Sequence, residues 1–126
     1  MINGIGADIF EVRRMKKAIE KDEDFIKEIF TEDEMIYCNK MQDKEQHFAA
    51  RFSAKEAFMK AFGTGWRFGI RFADIGIYHD ELGKPHIKLT GKTEELAKQE
   101  GISSIHVTLS HTKSMATAFV ILEKGN

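Results

Sequence analysis

The stretch Arg51-Phe-Ser-Ala-Lys-Glu-Ala-Phe-Met-Lys-Ala-Phe-Gly-Thr-Gly65 decides how the rest of the chain is read. It predicts a helix that ends at Gly63, the residue type most often found just past a helix C-terminus. At 3.6 residues per turn, Phe48, Phe52, Met59 and Phe62 make one apolar side. Ala50, Ala54, Ala57 and Ala61 make a second, adjoining side. A helix apolar over so much of its circumference is packed on most sides, so it sits at the centre of the fold. The alanine side lets another backbone come close. Lys55 falls among the phenylalanines, while Ser53, Glu56 and Lys60 share one narrow polar stripe. Buried charge is costly unless paired or bound. An i,i+4 pair between Glu56 and Lys60 would account for two of these charges and contribute about 0.2–0.5 kcal/mol.

Working outward, Met1 to Phe10 alternates as a strand, with Ile5, Ala7 and Ile9 on one face and Gly4, Gly6 and Asp8 on the other. Glu11 to about Lys21 reads as a helix carrying Val12, Met15 and Ile19 inward and Arg13, Arg14, Lys16, Lys17 and Lys21 outward. Asp8 and Glu11 have capping-box spacing, as do Thr31 with Glu34 and Asp43 with Gln46. Phe25, Ile26, Ile29 and Phe30 predict a short amphipathic helix, and Thr31 opens another to about Met41. Beyond Gly65 the period changes to two. Phe72–Tyr78 and Pro85–Leu89 read as strands joined around Asp80–Lys84. A helix over Lys92–Gln99 and strands over Ile105–Leu109 and Met115–Leu122 complete the chain. The expected class is α+β, one domain over residues 1–126, with a largely antiparallel sheet packed on a central helix.

Composition sets outer limits. With 126 residues and a formal net charge of −1, the chain has one domain's length and no global charge suited to nucleic acid. A single cysteine, Cys38, precludes an internal disulfide and reads as a packing residue. No signal peptide or membrane-length apolar run is visible, so the expected location is the cytoplasm.

Three separated segments place polar groups at element ends: Asp8, then Glu56 and Lys60 with Lys55 nearby, then Ser110-His111-Thr112. Two carboxylates with lysines and hydroxyls suit a magnesium-bridged phosphate, since magnesium takes only one or two protein carboxylates. The Gly63-Thr64-Gly65 turn is no Walker A loop, because no Gly-Lys-Ser/Thr follows. A serine hydrolase lacks its G-x-S-x-G elbow. His47, His79, His86 and His106 lack metal-ligand spacing and read as surface or strand residues.

Gly4-Ile-Gly-Ala-Asp8-Ile9, the 51–65 stretch, Gly83-Lys-Pro85 and Leu109-Ser-His-Thr112 together resemble the holo-acyl-carrier-protein synthases. These are the short branch of the 4′-phosphopantetheinyl transferases. The resemblance spans nearly the whole chain, with Ala7, Met115 and Trp66-Arg67-Phe68 as departures. It implies magnesium-dependent transfer of phosphopantetheine from coenzyme A to a serine of an acyl carrier protein. It also implies a homotrimer with each site between two subunits. Metal ligands would be Asp8 and Glu56, and catalytic residues Glu56, Lys60 and His111. Coenzyme contacts would come from Lys55, Lys60, Gly63, Gly65, Lys84, Pro85, Ser110, His111 and Thr112. Arg13, Arg14, Lys17 and Lys21 would dock the acidic carrier. The general base stays open between Glu56, His111 and a water at the metal. The rival readings are a non-catalytic module that binds an acidic protein through helix 11–21, and a nucleotide phosphohydrolase.

Overall fold

The structure, a computed structural model, describes residues 1–63 and 67–125. Its elements run β1 (Ile2–Glu11), α1 (Val12–Lys21), α2 (Glu23–Ile29), α3 (Glu32–Asn39) and α4 (Lys44–Phe62). After two short 3-10 turns come β2 (Ile75–His79), β3 (Pro85–Leu89), α5 (Gly91–Gln99), β4 (Ile102–His111) and β5 (Met115–Lys124). The α+β expectation holds. The antiparallel strands form two sheets, β1-β5-β4 and β2-β3.

Helix α4 is central, with eleven of its 19 residues buried. Its C-terminal half, with Ala57, Phe58 and Met59, joins β2 and the inner face of β5 (Ala118, Val120, Leu122) in one core. Its N-terminal half, with Phe48, Ala49 and Ala50, packs on Val12, Met15, Ile26, Ile29 and Phe30 of the first helices. Gly63 ends the helix at φ 92°, and its N–H donates to the Met59 carbonyl at 2.9 Å.

The glycines of β1 explain how strand and helix meet. A Cβ on Gly4 would lie 1.9 Å from the Ala61 carbonyl oxygen, and one on Gly6 would lie 2.0 Å from that of Ala57. The two backbones therefore touch, and the element that the alanine side admits is β1. This approach fixes Asp8, two residues beyond Gly6, against the polar stripe of α4.

Local capping follows the sequence in part. Thr31 and Glu34 form the expected capping box on α3. Asp8 is no helix cap. β1 stays paired with β5 through Glu11↔Met115, and Val12 N–H donates to the Ser114 carbonyl, so the ladder carries the chain past Asp8 before α1 begins. Asp43 caps α4 through its backbone carbonyl rather than its side chain. Phe72–Asp74 is a 3-10 turn rather than strand, with the Phe72 carbonyl drawn to Lys55 and the Asp74 carboxylate capping α5 through Thr93. Phe25, expected inward, is 41% exposed.

The outer face of the larger sheet carries an exposed apolar patch where β1 and β5 pair. Ile5 and Ile9 are each 64% exposed and Phe119 is 51% exposed. Ile5 lies opposite Ile121, and Ala7 opposite Phe119.

Candidate functional site

Asp8 lies on the inner face of β1, and α4 supplies its neighbours. Ser53 Oγ donates to Asp8 Oδ2 at 3.0 Å, and Lys60 Nζ donates to Oδ1 at 3.1 Å. Lys60 also reaches the Ala7 carbonyl at 3.2 Å. The i,i+4 Glu56–Lys60 pair that the spacing allowed is not made among the described residues. Lys60 turns to Asp8 instead. Burial, then the nearby Asp8 charge, push the Glu56 carboxyl above the usual carboxylate range, with Lys60 opposing. Two carboxylates that repel across a gap beside a lysine are set up for a divalent cation. No group of three or more metal-type ligands occurs among the described residues. The donor set thus fits a hard cation that keeps most of its positions for water and phosphate oxygens, as magnesium does.

A second constellation lies on the other side of α4. Arg51 is 2% exposed, its guanidinium 4.3 Å from the centre of the Tyr37 ring and 3.0 Å from His79 Nδ1. Its third contact is a 3.4 Å bond to the His47 carbonyl, and its Nε is buried without a partner. No carboxylate comes within ion-pair distance of Arg51 among the described residues, so this is a buried cation without a counter-ion. His47 packs edge-on against both Tyr37 and His111, and Tyr37 stacks on His79. Burial first, then the Arg51 charge, hold His47 and His79 below the ordinary imidazole pKa. His79 lies opposite Pro85 in the hairpin. In that hairpin Asp80 accepts from the Leu82 and Lys84 backbones and bonds His86, which holds its own pKa down.

The residues expected from sequence therefore fall into two groups. Asp8, Glu56 and Lys60 come together, joined by Ser53. His111 packs on His47 and Pro85 lies opposite His79, so both border the Arg51 cluster, while Lys84 sits in the hairpin turn before Pro85. From His47 to Glu56 the helix rises about 13 Å, and the two stripes face different neighbours. The structure does not bring the two groups into one pocket. Ser110 and His111 also part company, because successive strand residues point to opposite faces. His111 shares the inner face with Leu109 and Asp8, while Ser110 lies opposite Thr117 on the outer face. Thr112 closes the turn, its N–H donating to Met115 and its hydroxyl accepting from Ser114 and Met115.

Lys55 does not contact either group's ligand space. It is fully buried, and its ammonium spends three hydrogens on Glu34 Oε1 (2.8 Å), Ile75 O (2.6 Å) and Phe72 O (3.0 Å). Those protein acceptors, not the coenzyme contact expected from sequence, take up its charge. Gly63 is exposed at the helix end, and Gly65, like Trp66, lies outside the described residues. Phe68 is 72% exposed at φ 61°. Arg13, Arg14, Lys17 and Lys21 are all exposed on α1, and Arg14 is held 4.9 Å over the Phe10 ring. Sequence reasoning gave no role to Arg51, Tyr37, His47 or His79. The available signal was Arg51 itself, one turn before Lys55 on the same stripe.

Residues 4–120 match the model of the 4′-phosphopantetheinyl transferase superfamily. The holo-[acyl-carrier-protein] synthase of Geobacter sp. (strain M21) is 43% identical over 125 residues, covering 98% of this chain and all of that one. The crystal structure of the holo-[acyl-carrier-protein] synthase from Neisseria meningitidis is 36% identical, with a TM-score of 0.90 over 98% of this chain and 100% of that chain. That of Bacillus anthracis, solved in complex with CoA (3′,5′-ADP), is 35% identical, with a TM-score of 0.83 over 99% of each chain.

Proposed function

The chain belongs to the 4′-phosphopantetheinyl transferase superfamily, and on that premise we propose that it moves the phosphopantetheine arm of coenzyme A onto a serine of an apo-acyl carrier protein. Adenosine 3′,5′-bisphosphate leaves. The observation that carries the reading is the meeting of Asp8 and Glu56, from separate elements, beside Lys60.

Asp8 and Glu56 would hold magnesium, which when bound supplies Lewis acidity and a template for the pyrophosphate. Ser53 keeps the Asp8 carboxylate turned toward that site. Lys60, exposed at the site's edge, swings from Asp8 to a phosphate oxygen and adds fixed positive charge where charge accumulates. The attacking serine is held in line and gives up its proton, to Glu56, His111 or a water, as its oxygen bonds the β-phosphorus. Arg51, with its unsatisfied charge, and the imidazoles of His47, His79 and His111 suit the coenzyme's nucleotide end, with Lys84 and Pro85 beside the base.

A coenzyme spanning the two groups needs them on different subunits, because α4 separates them in one chain. The bare Ile5, Ile9 and Phe119 face is suited to further copies of the chain, and a homotrimer closes such contacts into a ring. The exposed arginines and lysines of α1 steer the acidic carrier toward the Asp8 edge. No described helix is long and apolar enough to cross a membrane, and the proposed partners place the reaction in the cytoplasm. Equilibrium binding of coenzyme A with and without magnesium tests the reading. Magnesium-enhanced binding supports it, and the absence of any coenzyme binding would return the chain to a non-catalytic module.

A further inference from the structure

The metal half of the site and the nucleotide half are positioned by different contacts. Asp8 is set against Glu56 and Lys60 by the touching backbones of β1 and α4, with Gly4 and Gly6 lying against Ala61 and Ala57. None of that involves β2. The β2–β3 hairpin, which ends in Lys84 and Pro85, is tied to α4 by a buried charge network. Lys55 donates to the carbonyls of Phe72 and Ile75, at the entry to β2. It also donates to Glu34 Oε1, which accepts from the Thr31 N–H at 2.8 Å as well. Glu34 Oε2 accepts from the N–H of Ile77, inside β2, at 3.1 Å. Glu34 and Lys55 are 2% and 0% exposed. One ion pair thus joins the start of α3, the middle of α4 and the root of the hairpin.

We propose that Glu34 and Lys55 are positioning residues for coenzyme binding, setting the β2–β3 hairpin against α4 without touching ligand or carrier. The proposal rests on the transferase reading, in which Lys84, Pro85 and the Arg51–His79 contact receive the nucleotide end. Displacing the root of β2 moves His79, four residues on, away from Arg51 and shifts the hairpin with it. Asp8, Ser53, Glu56 and Lys60 stay in place, because their backbone contacts are untouched. The resulting signature is a split in kinetics that loss of folded protein alone would not give.

The test uses the full-length protein, with coenzyme A and an apo carrier as substrates and magnesium present. Lys55→Met removes the ammonium and leaves Glu34 its two backbone donors. Glu34→Gln with Lys55→Met removes both charges together, so that no unpaired charge is left buried. The displaced groups hold the nucleotide end, away from the reacting phosphate, so what is lost is binding common to the ground and transition states. The KM for coenzyme A should therefore rise about tenfold in both variants, while kcat and the KM for the carrier stay within about twofold. Should Lys55→Met prove too unstable to assay, the double variant gives the same reading. Parental KM for coenzyme A in a folded variant would overturn the proposal, as would a fall in kcat with KM unchanged. Failure of the parent protein to transfer anything would instead refute the transferase reading beneath it.

Discussion

A Cβ on Gly6 would stand 2.0 Å from the carbonyl oxygen of Ala57. This contact between β1 and α4 puts Asp8 within reach of Ser53 and Lys60. Gly6→Ala must push the strand and helix apart. Overpacking of this kind costs about 1–3 kcal/mol, occasionally more. Denaturant unfolding should show that loss, together with a larger loss of transfer activity. Gly76, whose nearest neighbour to an added Cβ is at 3.5 Å, is the comparison. Gly76→Ala should change stability by no more than about 1 kcal/mol.

The Glu56 carboxyl titrates above the ordinary glutamate value of 4.5 because burial, then Asp8, disfavour its charge. Between that value and the raised native pKa, the native state binds more protons than the unfolded chain. Glu56 therefore favours the folded state at acid pH, and this contribution is lost as pH rises through the native pKa. A bound divalent cation removes the repulsion but competes with the proton. Magnesium should raise Tm more at pH 8 than at pH 5. Equal shifts at both pH values would contradict a metal site at Glu56. In Glu56→Gln the dependence should vanish.

His47 and His79 act with the opposite sign. Both native pKa values lie below the ordinary 6.5, so the unfolded chain takes up protons first. Their stabilisation is complete above pH 6.5 and is lost as pH falls through the native values. His79 Nδ1 sits 3.0 Å from the Arg51 guanidinium, which requires that nitrogen to accept and the ring to be neutral. His79→Gln keeps an acceptor and removes one titration, so the fall of Tm below pH 6.5 should become shallower. An unchanged pH profile would contradict the contact.

Charge reversal on α1 should act on the carrier alone. Arg14→Glu should raise the carrier's KM about tenfold at low salt, with coenzyme KM unchanged, and the difference should shrink as salt screens it. Steady-state kinetics over a range of ionic strength checks this. A carrier KM that ignores salt would remove α1 from the docking surface.

Much of this was legible in the sequence because it is written in periods and small residues. The two apolar sides of 48–62 marked α4 as central, and its alanines marked a side open to close approach, though not that β1 would fill it. The Thr31–Glu34 cap was read correctly, yet its second function was hidden. Glu34 meets Lys55 across 21 residues, and no local pattern announces a pair at that separation. The same separation hides the role of Lys55: a lysine beside Glu56 looks available until its three acceptors are found. Asp8 with Glu11 had the spacing of a cap, but strand pairing to Met115 overrode it. The Arg51 cluster escaped notice because its members come from α3, α4, β2 and β4, which only the fold brings together.

The most direct measurement is the intact mass of an apo-acyl carrier protein incubated with this protein, coenzyme A and magnesium. The account predicts a gain of one phosphopantetheine per carrier with the parent chain, and no gain with Asp8→Asn or Glu56→Gln while both variants remain folded. An unmodified carrier with the parent protein, or full modification by either variant, would contradict it.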